Sequence, residues 1–443
     1  MKLGADDVFY LFIVLALWVF LFFIIISLMS DIRSLSYKRY PSRSQAASLW
    51  RKHCLLTDLW NAALEERIGA WRRGVHIWLS DQEKSLKFIR SDVPSWSSYV
   101  HTHEAQVVLK RLDLAFASFF RRLRNGGAPG FPRFRAPERF RGWGYKQHGN
   151  GFKVEIGVGG RHGFVTLFGI GRMRMRGIAR TPGRVLKADV IRAARGWMLN
   201  LVVETGCAQR ERAHGPAIGL DWGVSEFATI ATEAGECEVI HNPRHLATEA
   251  EDLRKAQRSL SIVARERKIS SRALRKHRKS LARKHAKISA RRKDFLHKVS
   301  QELVAKHRFI ATEMLSPRNM TRSARGTAKA PGRNVAQKAG LNRAILDTAP
   351  STFLNMLRYK AEEAGAELLE ASTRALKPSQ CCPECGAMRK KALSEREHSC
   401  SCGCKMGRDE ASARVLLQWG LRFEASTEAK RAEVNRAAGT AVG

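Results

Sequence analysis

A chain of 443 residues is longer than one ordinary domain and predicts two or three. Its 44% of hydrophobic residues can bury sizeable cores, which excludes a chain with no fold of its own. With 78 Lys and Arg against 41 Asp and Glu, the net charge of +37 draws polyanions, pointing to nucleic acid ahead of a ribosomal-type structural protein or an anionic-membrane binder.

From Val8 to Met29 the chain is apolar, uncharged and long enough to span a bilayer. Arg33, Lys38 and Arg39 follow, so a true span would leave the remainder cytoplasmic. No small-residue cleavage site follows, which argues against a signal peptide. Segment 1–30 therefore reads as a membrane anchor or as an extension upstream of a start at Met29, the second being the better reading. The remainder is expected in the cytoplasm, associated with the nucleoid.

Ser36 to Tyr40 resembles a short strand. Ser42 and Gln45 form a capping box ahead of the amphipathic series Leu49, Leu56, Leu59 and Ala63. Helical periodicity returns at Val108, Leu112, Ala115, Phe116, Phe119 and Leu123 and stops at the glycine-rich residues 124–130. Residues 43–125 thus predict a helical unit rich in Arg, Lys and Trp. From Phe131 to Glu204, short alternating stretches such as FKVEIGV and WMLNLVVE predict a small antiparallel β-domain or barrel. The strand at 36–40 precedes the helices, so they are expected to be inserted into that barrel.

Residues 217–240 predict three strands joined by glycine-containing turns. From Leu246 to Lys306, Leu253, Leu260, Leu274, Leu281, Ile288 and Phe295 are spaced by seven or its multiples, predicting one or two long helices with a coiled-coil-like seam. Charges of a single sign crowd between those positions. Arg272, Arg275, Lys276, Arg278, Lys279, Arg283, Lys284, Arg291 and Arg292 therefore predict a track for nucleic-acid phosphates rather than a merely solvated face. A strand at 309–315, a basic glycine-containing loop at 321–340, a helix at about 341–364 and a strand near 367–371 follow. A last helix begins near Asp409, and 424–443, small and polar, is expected to be disordered.

Six of the nine cysteines crowd into residues 381–404, whereas Cys54, Cys207 and Cys237 are scattered. Pairs this close in a large basic protein read as metal ligands in a reducing compartment. Cys382-Pro-Glu-Cys385-Gly is a zinc knuckle, and Cys400-Ser-Cys402-Gly-Cys404 supplies the second pair. Cys382, Cys385, Cys400 and Cys402 are expected to hold one structural Zn²⁺, with Cys404 able to replace Cys400.

Three acids stand out by position. Asp221 lies within the apolar strand IGLDWG, Glu313 ends the apolar strand FIATE, and Asp409 opens the helix GRDEASARVLL. A mid-strand carboxylate is costly unless something pairs with it. Together the three fit the RNase H-like nuclease order of first strand, later strand and helix start. Phosphodiester cleavage there uses two Mg²⁺ ions about 3.5–4 Å apart, and carboxylates suit that hard ion. Glu226, Glu233 and Glu236 are weaker candidates.

GLDWGVSEFATI resembles the first RuvC motif of TnpB proteins and of the related type V CRISPR effectors. RRKDFLHKVSQELV, TEML, LNRAILDTAPSTFLNMLRYKAEEAG, SQCCPECG and GRDEASARVLL follow in the family's order, and YKRYPSRSQAASLW and GFPRF are similar to its N-terminal region. The resemblance implies an α/β multidomain chain. An RNase H-like (RuvC) nuclease domain would occupy 206–376 and 405–423, with a zinc ribbon at 377–404. An N-terminal wedge-like β-barrel at 31–42 and 128–205 would carry an inserted helical recognition domain at 43–127. It further implies an RNA-guided DNA endonuclease with Asp221, Glu313 and Asp409 as Mg²⁺ ligands, partnered by a guide RNA and target DNA. The alternative is a non-cleaving RNA-guided or plain DNA-binding regulator or transposition accessory, a kind of descendant that usually loses a carboxylate. Three features depart from the family. The second cysteine pair is one residue shorter, Gly407 replaces an acid, and the N-terminal hydrophobic segment has no counterpart.

Overall fold

The structure, a computed structural model, describes residues 31–128, 130–178, 183–194, 196–205, 213–265, 271–327, 329–392 and 394–439. The hydrophobic segment at 8–29 lies outside them. Among the described residues, no helix is long and apolar enough to cross a membrane. The chain forms two compact units, divided at Ala208–Gln209.

The first unit opens with β1 (Asp31–Tyr40), followed by α1 (Arg43–Arg72), α2 (Leu79–Asp92), α3 (Pro94–Tyr99) and α4 (Thr102–Arg124). The capping box starts α1. The Gln45 amide donates to Ser42 Oγ at 3.2 Å, and the Ser42 amide donates to Gln45 Oε1 at 3.0 Å. Six strands follow, β2 (Gly142–Tyr145), β3 (Phe152–Ile156), β4 (Arg161–Leu167), β5 (Gly171–Ile178), β6 (Arg184–Ala193) and β7 (Gly196–Thr205). They and β1 pair antiparallel in the order β2-β6-β7-β1-β5-β4-β3, so β1 sits mid-sheet although the helices separate it in sequence from its partners. The sequence predicts a small antiparallel β-domain or barrel, and these described strands form one antiparallel sheet with β2 and β3 at the ends of its pairing order. Strand alternation specifies only that one face be buried. Here Leu49, Leu56 and Trp60 of α1 and Val108 and Leu112 of α4 share a core with Trp197, Leu199, Leu201 and Val203 of β7. Leu123, expected on the apolar face of α4, is 53% exposed.

A buried polar network crosses this core. Lys52 Nζ of α1 donates to Glu104 Oε1 of α4 at 2.7 Å and to the Phe168 carbonyl at 2.6 Å. Tyr145 Oη of β2 donates to the same Glu104 oxygen. Burial pushes Glu104 up and Lys52 down from their usual ranges, and each partner opposes the other's shift.

The second unit begins with β8 (Ala217–Trp222), β9 (Glu226–Thr232) and β10 (Cys237–His241). Next come α5 (Ala250–Arg265), α6 (Ser271–Lys306), β11 (Phe309–Glu313), α7 (Val335–Thr348), α8 (Pro350–Ala364) and β12 (Glu367–Ala371). The two-stranded β13 (Glu397–Ser399) and β14 (Lys405–Gly407) precede α9 (Arg408–Gly439). The main sheet has the order β10-β9-β8-β11-β12, antiparallel from β10 to β8 and parallel from β8 to β12. One face packs Ile218, Leu220 and Ile310 against Leu296 and Leu303 of α6 and Phe353 and Leu357 of α8. The other packs Ala217, Phe309 and Ala311 against Leu417 of α9.

Three expectations change here. The helix expected over 341–364 is two, because Ala349 takes a left-handed φ of 49° and Pro350, which has no amide hydrogen, starts the next. The basic loop ends at 334, since α7 begins at Val335. The tail expected to be disordered from 424 continues α9 to Gly439. Its alanines and long-chain residues favour helix, and no proline interrupts them.

Replacing one partner of the buried network strands the other. Lys52→Met should destabilise the first unit by about 3–5 kcal/mol, and Lys52→Met/Glu104→Leu should recover much of the loss. Urea unfolding followed by tryptophan fluorescence checks both.

Candidate active site and zinc site

Strand alternation decides which face each side chain of β8 and β11 occupies. Ala217, Gly219 and Asp221 share the face covered by α9, and so do Phe309, Ala311 and Glu313 of the adjacent parallel strand. Gly219 lets α9 lie directly on β8. A Cβ there would stand 2.0 Å from the Ala413 carbonyl oxygen and 2.5 Å from the Leu417 nitrogen. Gly420 of α9 does the same from the helix side, where a Cβ would meet Ala311 Cβ and the Phe309 ring at 2.7 Å. This docking sets the first turn of α9, with Asp409, over the ends of β8 and β11.

The charges of both Glu313 and Asp409 act on Asp221, so the three carboxylates predicted from sequence share one neighbourhood, all half-buried, although they are not among the described groups whose ligand atoms all lie within 4.8 Å of one another. Burial, then the charges of Glu313 and Asp409, push Asp221 well above the usual carboxylate range, and Arg408 pulls it back. Burial also pushes Glu313 up. None of the three side chains has a hydrogen bond or ion pair among the described residues. Acceptors crowded together without donors are the donor set of a hard cation, so the residues fit Mg²⁺. The three weaker candidates are not part of this cluster. Glu226 bonds His241 Nδ1 at 2.7 Å, and Glu233 accepts from the Ala217 amide at 2.8 Å and pairs with Arg308. Glu236 lies in the turn between β9 and β10.

The sulfurs of Cys382, Cys385, Cys400 and Cys402 all lie within 4.8 Å of one another. Cys382 and Cys402 are 3.7 Å apart, and Cys385 and Cys400 are 3.5 Å apart. A tetrahedron with Zn–S bonds near 2.3 Å has S···S edges of about 3.8 Å, so the residues fit zinc. Gly386, at φ 72°, completes the knuckle turn. The Cys402 amide and then the Cys385 thiol lower Cys400 to about 6, favouring the thiolate a metal requires. Sequence reasoning missed His398. It is buried and, with Cys382 and Cys404, forms a second metal-capable group. A histidine two residues before Cys400 was the available signal. The doubt between Cys400 and Cys404 thus has a structural counterpart, with Cys382 common to both groups.

The cationic residues of α6 divide in two. Lys284 pairs with Asp252, Arg291 with Glu249, and Arg292 with Asp347 at 2.6 Å. Arg272, Arg275, Lys276, Arg278, Lys279 and Arg283 are exposed, with no ion pair among the described residues.

The OrfB_IS605 family profile, described as "Probable transposase", matches residues 200–324, and the Cas12f1-like TNB domain profile matches 351–416. A Streptomyces pristinaespiralis protein named as an RNA-guided DNA endonuclease is 30% identical over 403 residues, covering 89% of this chain and 90% of its own. The chain belongs to the TnpB family. InsQ of Escherichia coli K12, named as an RNA-guided DNA endonuclease, is 30% identical over 307 residues, 69% of this chain and 71% of InsQ. Among solved structures, the Cas12f1 chain of a complex with sgRNA and target DNA shares the fold, with a TM-score of 0.51 at 14% identity. The match covers 84% of this chain and 82% of that one.

Metal analysis of the purified chain should find about one zinc per molecule. Cys382→Ser, which damages both groups, should lose it, whereas Cys404→Ser should retain it. Inductively coupled plasma mass spectrometry reads both outcomes.

Proposed function

We propose that this TnpB-family chain is an RNA-guided DNA endonuclease that hydrolyses phosphodiester bonds at a RuvC-like site made of Asp221, Glu313 and Asp409. The convergence of three donor-free carboxylates on two parallel strands and a covering helix carries this reading. Asp221, Glu313 and Asp409 would together hold the Mg²⁺ ions. When bound, the ions activate a water and stabilise the leaving oxygen. The chain's own contribution is to fix three ionised oxygen donors on rigid elements. Arg408 favours the ionised form of Asp221.

The exposed cations of α6 would follow nucleic-acid phosphates, while base pairing with the guide reads the target. The first unit would supply a wedge-like sheet with an inserted recognition domain, and the cysteine module a zinc ribbon. The presence of all three carboxylates weighs against the non-cleaving alternative.

The test is cutting of guide-matched DNA in Mg²⁺. Asp221→Ala, Glu313→Ala and Asp409→Ala should each lower the rate about 10³-fold or more, with guide binding kept. Wild-type cutting by Asp221→Ala would refute the site. Cutting that ignores sequence, without a bound RNA, would refute the guide while leaving the nuclease.

Acidity gives an independent check. The metal must displace a proton held by Asp221, whose affinity for it is raised, so apparent Mg²⁺ affinity should rise with pH and fall on acidification. Mg²⁺ titrations of the cutting rate at acidic and alkaline pH measure this.

A further inference from the structure

The first unit carries an open apolar cleft of about 410 Å³ that the nuclease reading does not use. Its walls are Trp71 in the last turn of α1, Trp78 just before α2, Phe116, Phe119 and Phe120 of α4, and Phe131. Trp71 is 74% exposed and Trp78 65%. The phenylalanines already meet edge to face, Phe119 and Phe131 at 5.2 Å and 81°, and Phe116 and Phe131 at 5.6 Å and 88°. Large aromatic faces left open in one place mark a binding surface.

Charge decides the occupant. Exposed Arg72 and Arg73 follow Trp71, and exposed Arg121, Arg122 and Arg124 follow Phe120. Asp113, the acid on the cleft wall, is already paired with Arg67 and Lys110. A second copy meeting this patch by two-fold symmetry would bring both arginine sets together, which like charge opposes. Aromatic walls flanked by guanidinium groups suit a planar, π-faced group on an anionic chain, which is an unpaired nucleotide.

We propose that this cleft takes an unpaired base of the guide RNA, stacked on the exposed tryptophans of its wall, Trp71 and Trp78. The inference rests on the guide-RNA reading. RNA is chosen because sequence-specific recognition of RNA draws on unstacked bases of loops, bulges and ends, and the displaced DNA strand, which is also unpaired, is the outcome that the test separates. The flanking arginines hold the adjoining phosphates.

The experiment measures guide-RNA affinity of the full chain across a salt series. Trp71→Ala/Trp78→Ala should weaken binding about 5- to 150-fold, with the slope of log affinity against log salt unchanged, because stacking releases no counterions. Trp71→Phe/Trp78→Phe should retain most of the affinity, and ultraviolet crosslinking should join RNA to peptides containing these tryptophans. Arg72→Ala/Arg121→Ala should instead flatten the salt slope. Both tryptophans are exposed, so unchanged thermal unfolding of the variants will separate binding from folding. Wild-type guide affinity in the double alanine variant overturns the proposal. In that case, weaker DNA binding, a changed mass in solution, or lost binding to anionic phosphatidylserine vesicles would assign the cleft to DNA, a second copy or a membrane. If the unaltered chain binds no RNA at all, the guide-RNA reading itself has failed.

Discussion

The approach of a helix backbone to a strand backbone governs the second unit of this molecule. Side chains normally hold a helix well away from a sheet, but Gly219 has none, and the Ala413 carbonyl occupies the space where a Cβ would be. From that contact, Asp409 lies four residues back along α9, a rise of about 6 Å. Asp221 lies two residues forward along β8, a step of about 6.6 Å on the same face. Because helix and strand run in opposite directions, these nearly equal steps bring the two carboxylates alongside each other. Glu313 reaches the same place from the parallel neighbour β11, again by the two-residue alternation. A side chain at position 219 would displace α9, and with it one of the three acids.

Burial gives that convergence its chemical meaning. The two units handle buried carboxylates in opposite ways. Glu104 in the first is met by Lys52, Tyr145 and a backbone amide, and the network ties α1, α4 and β2 together. Asp221 in the second faces two further acids, with only Arg408 in partial opposition. An internal cation makes a carboxylate structural. A group of carboxylates lacking one is destabilised until a cation arrives from outside, and the low dielectric that raises the repulsion strengthens the later attraction.

Charge on α6 follows a similar division of labour. A helix with 3.6 residues per turn cannot present every cation in one direction. Lys284, Lys287, Arg291 and Arg292 pair with Asp252, Glu249 and Asp347, which ties α6 to its neighbours. The cations nearer the start of the helix remain free to meet phosphates. A uniform basic run in sequence thus resolves into a structural set and a set open to ligand.

Local patterns made much of this protein legible from sequence. The Ser42–Gln45 cap, the alternation of β7 and the seven-residue spacing of α5 and α6 are short-range features whose physics lies within one or two turns or strands. Asp221 and Glu313 stood out in sequence for a related reason, since a charge in an apolar strand conflicts with its surroundings and needs a tertiary explanation, whereas Asp409 opens a helix and stood out only in their company. Tertiary structure alone decided the rest. Alternation buries one face of a sheet without saying what covers it, and only the packing of α1 and α4 against β7 decided that. His398 entered the metal cluster only when β13 brought it beside Cys382 and Cys404. The close docking of Gly219 and Gly420 was invisible in sequence, because a glycine in a strand or helix does not name the backbone that will occupy the space it leaves.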